Sequence, residues 1–374
     1  MFGIYIHIPF CRQACHYCDF HFSTNLSNKT EMVKAIVHEL NQKKDFYFGK
    51  TVETIYLGGG TPSLLSEIEL ASILETIYKE YKVNPEAEIT IECNPEDISF
   101  KKLSYFKKSG VNRLSIGIQT FNDKVLHFLN RSHSSQQADL AVKLSQDLGF
   151  DNITVDIMYA LPGSNLDILQ TDLDKIILLG IPHISAYCFT LEEKTVFGKM
   201  VKQNKLLKNE DSIEQSHYEN LHKHLSSNGY EQYEISNFAR NEKYSRHNSA
   251  YWFGRPYLGI GPGAHTFNGS ERQWNISNNA LYIQKTMVNE NAFEIETLSK
   301  SDIYNEGLLT QLRTKWGVNA KSLLQQSEID LFSEKQKEIE KLIINNMVYK
   351  TDSHLFLTEK GKLLADGIVV DLMI

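Results

Sequence analysis

At 374 residues the chain is long enough for roughly two domains, and its 41% hydrophobic and 23% charged content is that of an ordinary globular protein. No apolar run reaches bilayer length, the N-terminus lacks a signal-peptide pattern, and five cysteines make no disulfide framework, so a reducing, cytoplasmic compartment is expected. A net charge of −7 speaks against a nucleic-acid-binding surface over the whole chain.

In chain order, the first strand is expected over Ile4–Ile8, where isoleucines alternate with Tyr5 and His7. Directly behind it Cys11, Cys15 and Cys18 follow a C-x3-C-x2-C spacing on one loop. Three thiolates so placed can ligate three irons of a [4Fe–4S] cluster and leave the fourth open for a substrate-like ligand. A structural zinc site wants a fourth protein ligand, which His7, His16 or His21 could supply, but the second, distant cysteine pair usual in zinc loops is missing. Free thiols are the third reading. Cys93 and Cys188 read as small buried apolar residues.

Further strands are expected over Thr54–Leu57, Glu88–Glu92, Arg113–Ile118, Ile153–Met158 and His183–Cys188. They alternate with helical periodicity over Lys29–Lys44, Glu67–Tyr81, Phe100–Lys108, Ser135–Leu148 and Asp167–Leu179. Six such units predict an α/β fold, a partial (β/α)6 barrel that stays open rather than closing as an eight-unit ring. Function in such barrels collects at the C-terminal ends of the strands. The cysteine loop follows the first strand there, Gly58-Gly59-Gly60-Thr61-Pro62 the second, Glu92 ends the third, Gln119 follows the fourth, and Asp156 lies near the end of the fifth. The glycine triplet suits either close approach to a ligand or a tight strand-to-helix turn, and lacks dinucleotide-site spacing. Together with Arg131 these side chains could hold a ligand bearing amine, hydroxyl and carboxylate groups, Arg131 pairing with a carboxylate and Asp156 accepting from ribose hydroxyls.

After residue 190 the alternation stops. Lys194–His224 reads as largely helical and Tyr230–Asn237 as a strand. On residue chemistry, His247-Asn248-Ser249-Ala250-Tyr251-Trp252 reads as a loop packed by its aromatics around a hydrogen-bonded histidine, with axial haem ligation as the sharper alternative. The glycine-rich Gly254–Gly263 follows. Beyond residue 290 the chain reads as helical, with a hairpin over Met347–Lys350 and His354–Leu357 and a last helix, a winged-helix-like unit. Residues 291–374 carry 10 Lys/Arg against 13 Asp/Glu, which favours docking over DNA binding. The expected division is a barrel over 1–200, a connecting region with the histidine motif over 201–290, and a mainly helical C-terminal domain over 291–374.

The cysteine motif followed by Gly-Gly-Gly-Thr-Pro resembles the radical S-adenosylmethionine (SAM) superfamily. The opening Tyr5-Ile6-His7-Ile8-Pro9-Phe10-Cys11 is similar to its coproporphyrinogen III dehydrogenase (HemN)-like group, and Cys18-Asp19-Phe20 with His247-Asn248-Ser249-Ala250-Tyr251-Trp252 resembles the HemW haem-chaperone family within that group. The resemblance covers essentially the whole chain. It implies that Cys11, Cys15 and Cys18 ligate a [4Fe–4S] cluster. It also implies that Tyr5, Tyr17, Gly59, Gly60, Thr61, Glu92, Gln119, Arg131, Asp156 and Thr190 bind SAM, and that His247 contacts haem. The implied function is delivery of haem to haem-dependent, respiratory proteins, compatible with membrane-associated clients and a homodimer. HemN enzymes carry Cys where this chain has Phe20, and an N-terminal extension ahead of a cluster that here begins at residue 11. Both departures argue against coproporphyrinogen III oxidation, which needs a sequestered radical. That oxidation is the enzymatic alternative, beside radical SAM chemistry on an unrelated substrate.

Overall fold

The computed structural model describes residues 2–46, 49–162 and 164–374. Its first half is β1 (Phe2–Ile8), α1 (Lys29–Gln42), β2 (Val52–Gly59), α2 (Glu67–Glu80), β3 (Val83–Cys93), α3 (Phe100–Lys108), β4 (Arg113–Gln119), α4 (Asp123–Phe128), α5 (Ser135–Asp147), β5 (Ile153–Tyr159), α6 (Leu166–Leu178) and β6 (His183–Cys188). Strands β1 to β6 pair in parallel and in sequential order, so the expected partial barrel is formed. The helices are specified locally. Helix α1 buries Met32, Val33, Ala35, Ile36 and Leu40 along one stripe, and α2 and α5 open with the capping boxes Ser66/Glu69 and Ser134/Gln137.

Side chains of a strand alternate between its two faces. Ile4, Ile6 and Ile8, then Ile55, Leu57, Ile89, Ile91, Leu114, Ile116 and Val155, join the core beneath the helices. The opposite set is polar: Thr54, Glu88, Thr90, Arg113, Ser115, Thr154, His183 and Ser185, all buried. Most of these groups are hydrogen-bonded, as in His183 Nδ1 to Thr154 Oγ1 at 3.0 Å and Ser185 Oγ to Asn237 Oδ1 at 2.7 Å, while Thr90 Oγ1 and Arg113 Nε are buried without a partner. The barrel interior is therefore a hydrogen-bonded polar column rather than an apolar plug.

The second half is α7 (Val196–Lys202), α8 (Asp211–Ser227), β7 (Glu231–Glu234), β8 (Asn237–Ala239), α9 (Arg246–Trp252), β9 (Tyr257–Ile260), β10 (His265–Phe267), β11 (Glu271–Asn275), α10 (Asn279–Met287) and β12 (Phe293–Thr297). Here the sequence expectations need correcting. Residues 194–224 are largely helical as expected, but in two helices rather than one run, since Asn204 takes a left-handed conformation after α7. The single strand expected over Tyr230–Asn237 is an antiparallel hairpin of β7 and β8, and β8 pairs with β6. The histidine motif is a short helix, not a loop, with Ser245 as its N-cap. The glycine-rich segment contains β9, which pairs in parallel with β1. The sheet thus extends to twelve strands in the order β12-β11-β10-β9-β1-β2-β3-β4-β5-β6-β8-β7, and β12 belongs to it although it lies beyond residue 290.

The remainder is α11 (Lys300–Gln311), β13 (Val318–Asn319), α12 (Ala320–Ser327), α13 (Leu331–Glu334), α14 (Gln336–Ile344), β14 (Val348–Lys350), β15 (His354–Leu357), α15 (Glu359–Lys362) and α16 (Ala365–Leu372). It has its own core, running from Tyr304 and Leu308 to Ile368 and Leu372, and a small sheet β13-β15-β14. Among the described residues no helix is long and apolar enough to cross a membrane.

Candidate functional site

A cavity of 490 Å³ opens at the C-terminal ends of β1 to β6. Each strand end delivers a side chain to it. The cysteine loop leaves β1 and is held by short backbone bonds: Cys11 N donates to Ser23 O (3.0 Å), Ser23 N to Pro9 O (2.8 Å) and Thr61 N to Phe10 O (2.7 Å). All three thiols line the cavity. Thr61 Oγ1 donates to Cys11 Sγ (3.4 Å) and Arg131 Nη1 to Cys15 Sγ (3.5 Å). Burial pushes the Cys11 and Cys18 thiols up to about 11, so each keeps its proton until a cation replaces it.

The glycine loop after β2 forms the floor beside the thiols. Gly59 has φ +106°, and a Cβ there would stand 2.5 Å from the His7 ring; a Cβ on Gly60 would stand 2.7 Å from Phe10 O. Neither position admits a side chain, because the protein's own atoms fill the space, and Pro62 opens a short 3-10 turn (Pro62–Leu64), as the tight-turn reading of the triplet expects.

Two carboxylates face the cavity from neighbouring interior positions. Glu92 accepts from Tyr56 OH (2.8 Å) and Gly59 N–H (3.1 Å), and desolvation, with the nearby Asp156 adding, raises it to about 7. Asp156 accepts from Ser115 Oγ at 3.3 and 3.4 Å, and desolvation raises it to about 6. Arg131 spans the opposite wall. Its Nη2 donates to Gly117 O (2.6 Å) and Asn94 Oδ1 (2.8 Å), while its buried Nε has no partner. Gln119 ends β4 with φ +68°, a strained backbone of the kind found at binding sites.

Of the fourteen side chains expected at the site, twelve line this one cavity: Cys11, Cys15, Cys18, Tyr17, Gly59, Gly60, Thr61, Glu92, Gln119, Arg131, Asp156 and Thr190. Tyr5 and His247 do not. Tyr5 lies inside the barrel, with its OH on His7 Nδ1 at 3.1 Å. His247 is 2% exposed, its Nδ1 on Thr54 Oγ1 (2.8 Å) and its Nε2 on Tyr251 OH (2.9 Å). Both ring nitrogens are occupied, which matches the hydrogen-bonded histidine of the residue-level reading. Other cavity residues escaped that reading, Asn94, Ser115 and Cys188 among them. Asn94 follows β3 and Ser115 sits two residues before Gly117 on an inward position, so the strand-end rule and the period-two pattern could have found both. Cys93 is a buried core residue at the edge of the cavity, as expected, whereas Cys188 is half-buried and lines it.

The residues fit an iron–sulfur group better than a single ion. Among the described residues no three His, Cys, Asp or Glu side chains converge as one metal ion requires. The zinc-completing histidines are engaged elsewhere, His7 Nε2 on His21 O (2.9 Å), His16 Nδ1 on Phe128 O (3.1 Å) and His21 Nε2 on Asn279 Oδ1 (2.8 Å). Three thiols beside an orphaned guanidinium N–H suit a polynuclear, anionic guest.

The family model of the radical SAM superfamily matches residues 5–176, and that of the HemN C-terminal domain matches residues 298–364. The heme chaperone HemW of Bacillus subtilis is 32% identical over 376 residues, covering 98% of each chain. That of Lactococcus lactis is 32% identical over 97% of this chain and 95% of its own. That of Escherichia coli is 37% identical over 70% of this chain and 69% of its own. In three dimensions the chain superposes on the E. coli coproporphyrinogen III oxidase HemN, a radical SAM enzyme, with a TM-score of 0.86 at 22% identity, over 100% of this chain and 90% of that one. That likeness carries the fold.

Proposed function

The chain belongs to the HemW family of the radical SAM superfamily, and from that premise we propose that it is a cytoplasmic haem chaperone. It binds haem and passes it to haem-dependent proteins, respiratory enzymes among them, and its barrel holds a [4Fe–4S] cluster and SAM. The observation that carries the cofactor half is the convergence of twelve expected residues on one cavity. Cys11, Cys15 and Cys18 hold the cluster. When bound, it supplies an open iron for a substrate-like ligand and a one-electron donor. The chain's own residues do the rest. Arg131 places a guanidinium beside the thiolates and offers its free Nε–H to an anionic group. Glu92 and Asp156 present acceptors to amine and hydroxyl groups, and Gly59 and Gly60 let backbone approach the guest. Phe20, 72% exposed at the cavity rim, leaves that rim open where coproporphyrinogen oxidation calls for sequestration.

The haem half rests on the full-length relatives, and His247 is the residue we assign to haem iron. Its present seat sets a condition: a nitrogen becomes available only when the ring parts from Thr54 of β2, as release of α9 would bring about, or from Tyr251 of its own helix. The test uses anaerobically purified protein and its His247→Ala variant, each titrated with haem by visible spectroscopy after iron and sulfide assay. A cluster spectrum with saturable haem binding, weakened at least tenfold in the variant, is expected. Protoporphyrinogen IX formed from coproporphyrinogen III would replace the carrier reading with the oxidase one.

A further inference from the structure

Tyr56 reaches from the histidine motif to the cavity at the strand ends. The His247 ring stacks on Tyr56, with centroids 5.0 Å apart and planes at 25°. Tyr56 OH donates to Glu92 Oε1 at 2.8 Å, and the other oxygen of Glu92 accepts from Gly59 N–H at 3.1 Å. There is no slack along this line: a Cβ on Gly58 would come within 2.7 Å of the Tyr56 ring and 2.9 Å of Glu92 Oε1. Tyr56 thus touches the histidine motif at one end and, through its hydroxyl, a cavity carboxylate at the other.

The seat of α9 is incompletely satisfied. Its first two N–H groups, of Arg246 and His247, are held by Glu88 at 3.1 and 3.0 Å. Farther along the same helix, Ser249 Oγ and Trp252 Nε1 are buried without partners. A buried polar atom that has lost water without gaining a partner is a cost, so the docked position is opposed by two groups of the helix itself. The helix also abuts the C-terminal unit, where Phe253 packs on Trp316 at 4.9 Å.

We propose that Tyr56 is a positioning residue that makes haem and SAM antagonists. The inference rests on the assignment of His247 to haem. With α9 docked, His247 is unavailable to haem and its ring braces Tyr56, which fixes Glu92 and the Gly59 backbone in the cavity. With α9 released, His247 can take haem, but Tyr56 keeps only its more distant stack on Tyr5, at 6.1 Å, and the Glu92 wall of the cavity loosens. Each ligand then favours the arrangement the other disfavours. Linkage requires that each weaken the other by the same factor.

The test uses the full-length, cluster-loaded protein, with haem and the non-cleavable S-adenosylhomocysteine as probes. The apparent Kd for haem is expected to rise about fivefold or more at saturating S-adenosylhomocysteine, with the reciprocal change in the other titration. Tyr56→Phe keeps the ring stack and removes the bond to Glu92. It is expected to bind haem as the parent does, melt at a similar temperature, and show no coupling. Loss of haem by His247→Ala together with haem affinity indifferent to S-adenosylhomocysteine overturns the coupling alone, as does coupling that survives in Tyr56→Phe. Undiminished haem binding by His247→Ala overturns the functional assignment and the coupling with it.

Discussion

Replacing Glu92 by Gln is expected to stabilise the ligand-free protein at pH 8 and to leave it nearly unchanged at pH 5. The Glu92 carboxylate has two hydrogen-bond donors and no paired cation, so desolvation outweighs bonding and its pKa rises from the ordinary 4.5 to about 7. Between those values the folded chain holds a proton that the unfolded chain has released. Stability is therefore lost as pH climbs from 4.5 to 7, and the loss is complete above 7. The gap of about 2.5 pH units at about 1.36 kcal/mol each sets a ceiling of about 3.4 kcal/mol, lowered by cavity water. Gln removes this cost but keeps only one acceptor oxygen, which forfeits about 1 kcal/mol of hydrogen bonding. The net gain is then about 1–2 kcal/mol at pH 8 and near zero at pH 5. Denaturant unfolding of parent and variant at both pH values measures it, and SAM titration of the same variant is expected to show weakened binding. Equal stability differences at the two pH values would refute the reasoning, because a buried carboxylate that costs nothing when ionised has no raised pKa.

Gly59→Ala forces a Cβ to 2.5 Å from the His7 ring in a left-handed backbone. It is expected to cost about 1–3 kcal/mol in thermal unfolding and to weaken SAM binding, and an unchanged melting curve contradicts it. Arg131→Lys keeps the charge but cannot serve Gly117 O, Asn94 Oδ1 and Cys15 Sγ at once. Loss of one such charge-assisted contact is worth about 1.5–3 kcal/mol. Isothermal titration is expected to show SAM affinity down at least tenfold, with far-UV circular dichroism unchanged.

Much of the first half was legible in the amino-acid sequence because its signals are local. Strand β6 and helix α3 have the expected bounds, and helix ends elsewhere differ from expectation by one or two residues. Alternating side chains and capping residues act within a few positions of each other, so they survive without any knowledge of the rest of the chain. The cavity at the strand ends was legible for a related reason: parallel strands with right-handed crossovers place all their C-terminal ends at one mouth, so residues far apart in sequence share an address.

What only tertiary structure decided involves partners that no local pattern encodes. Strand β9 is short and glycine-rich, and it becomes a strand by pairing with β1, more than two hundred residues earlier. Residues 230–239 alternate like one strand but turn back on themselves so that β8 can extend the edge at β6. His247 and Tyr5 carry the chemistry of ligands, yet the fold turns both into the barrel. There His247 meets Thr54 across 193 positions of sequence and Tyr5 lies 6.4 Å from its ring. Residue type decides what a side chain can bond. Whether its lone pair faces a ligand or a neighbouring hydroxyl is set by long-range packing, because a buried ring nitrogen must take the partner the fold brings to it.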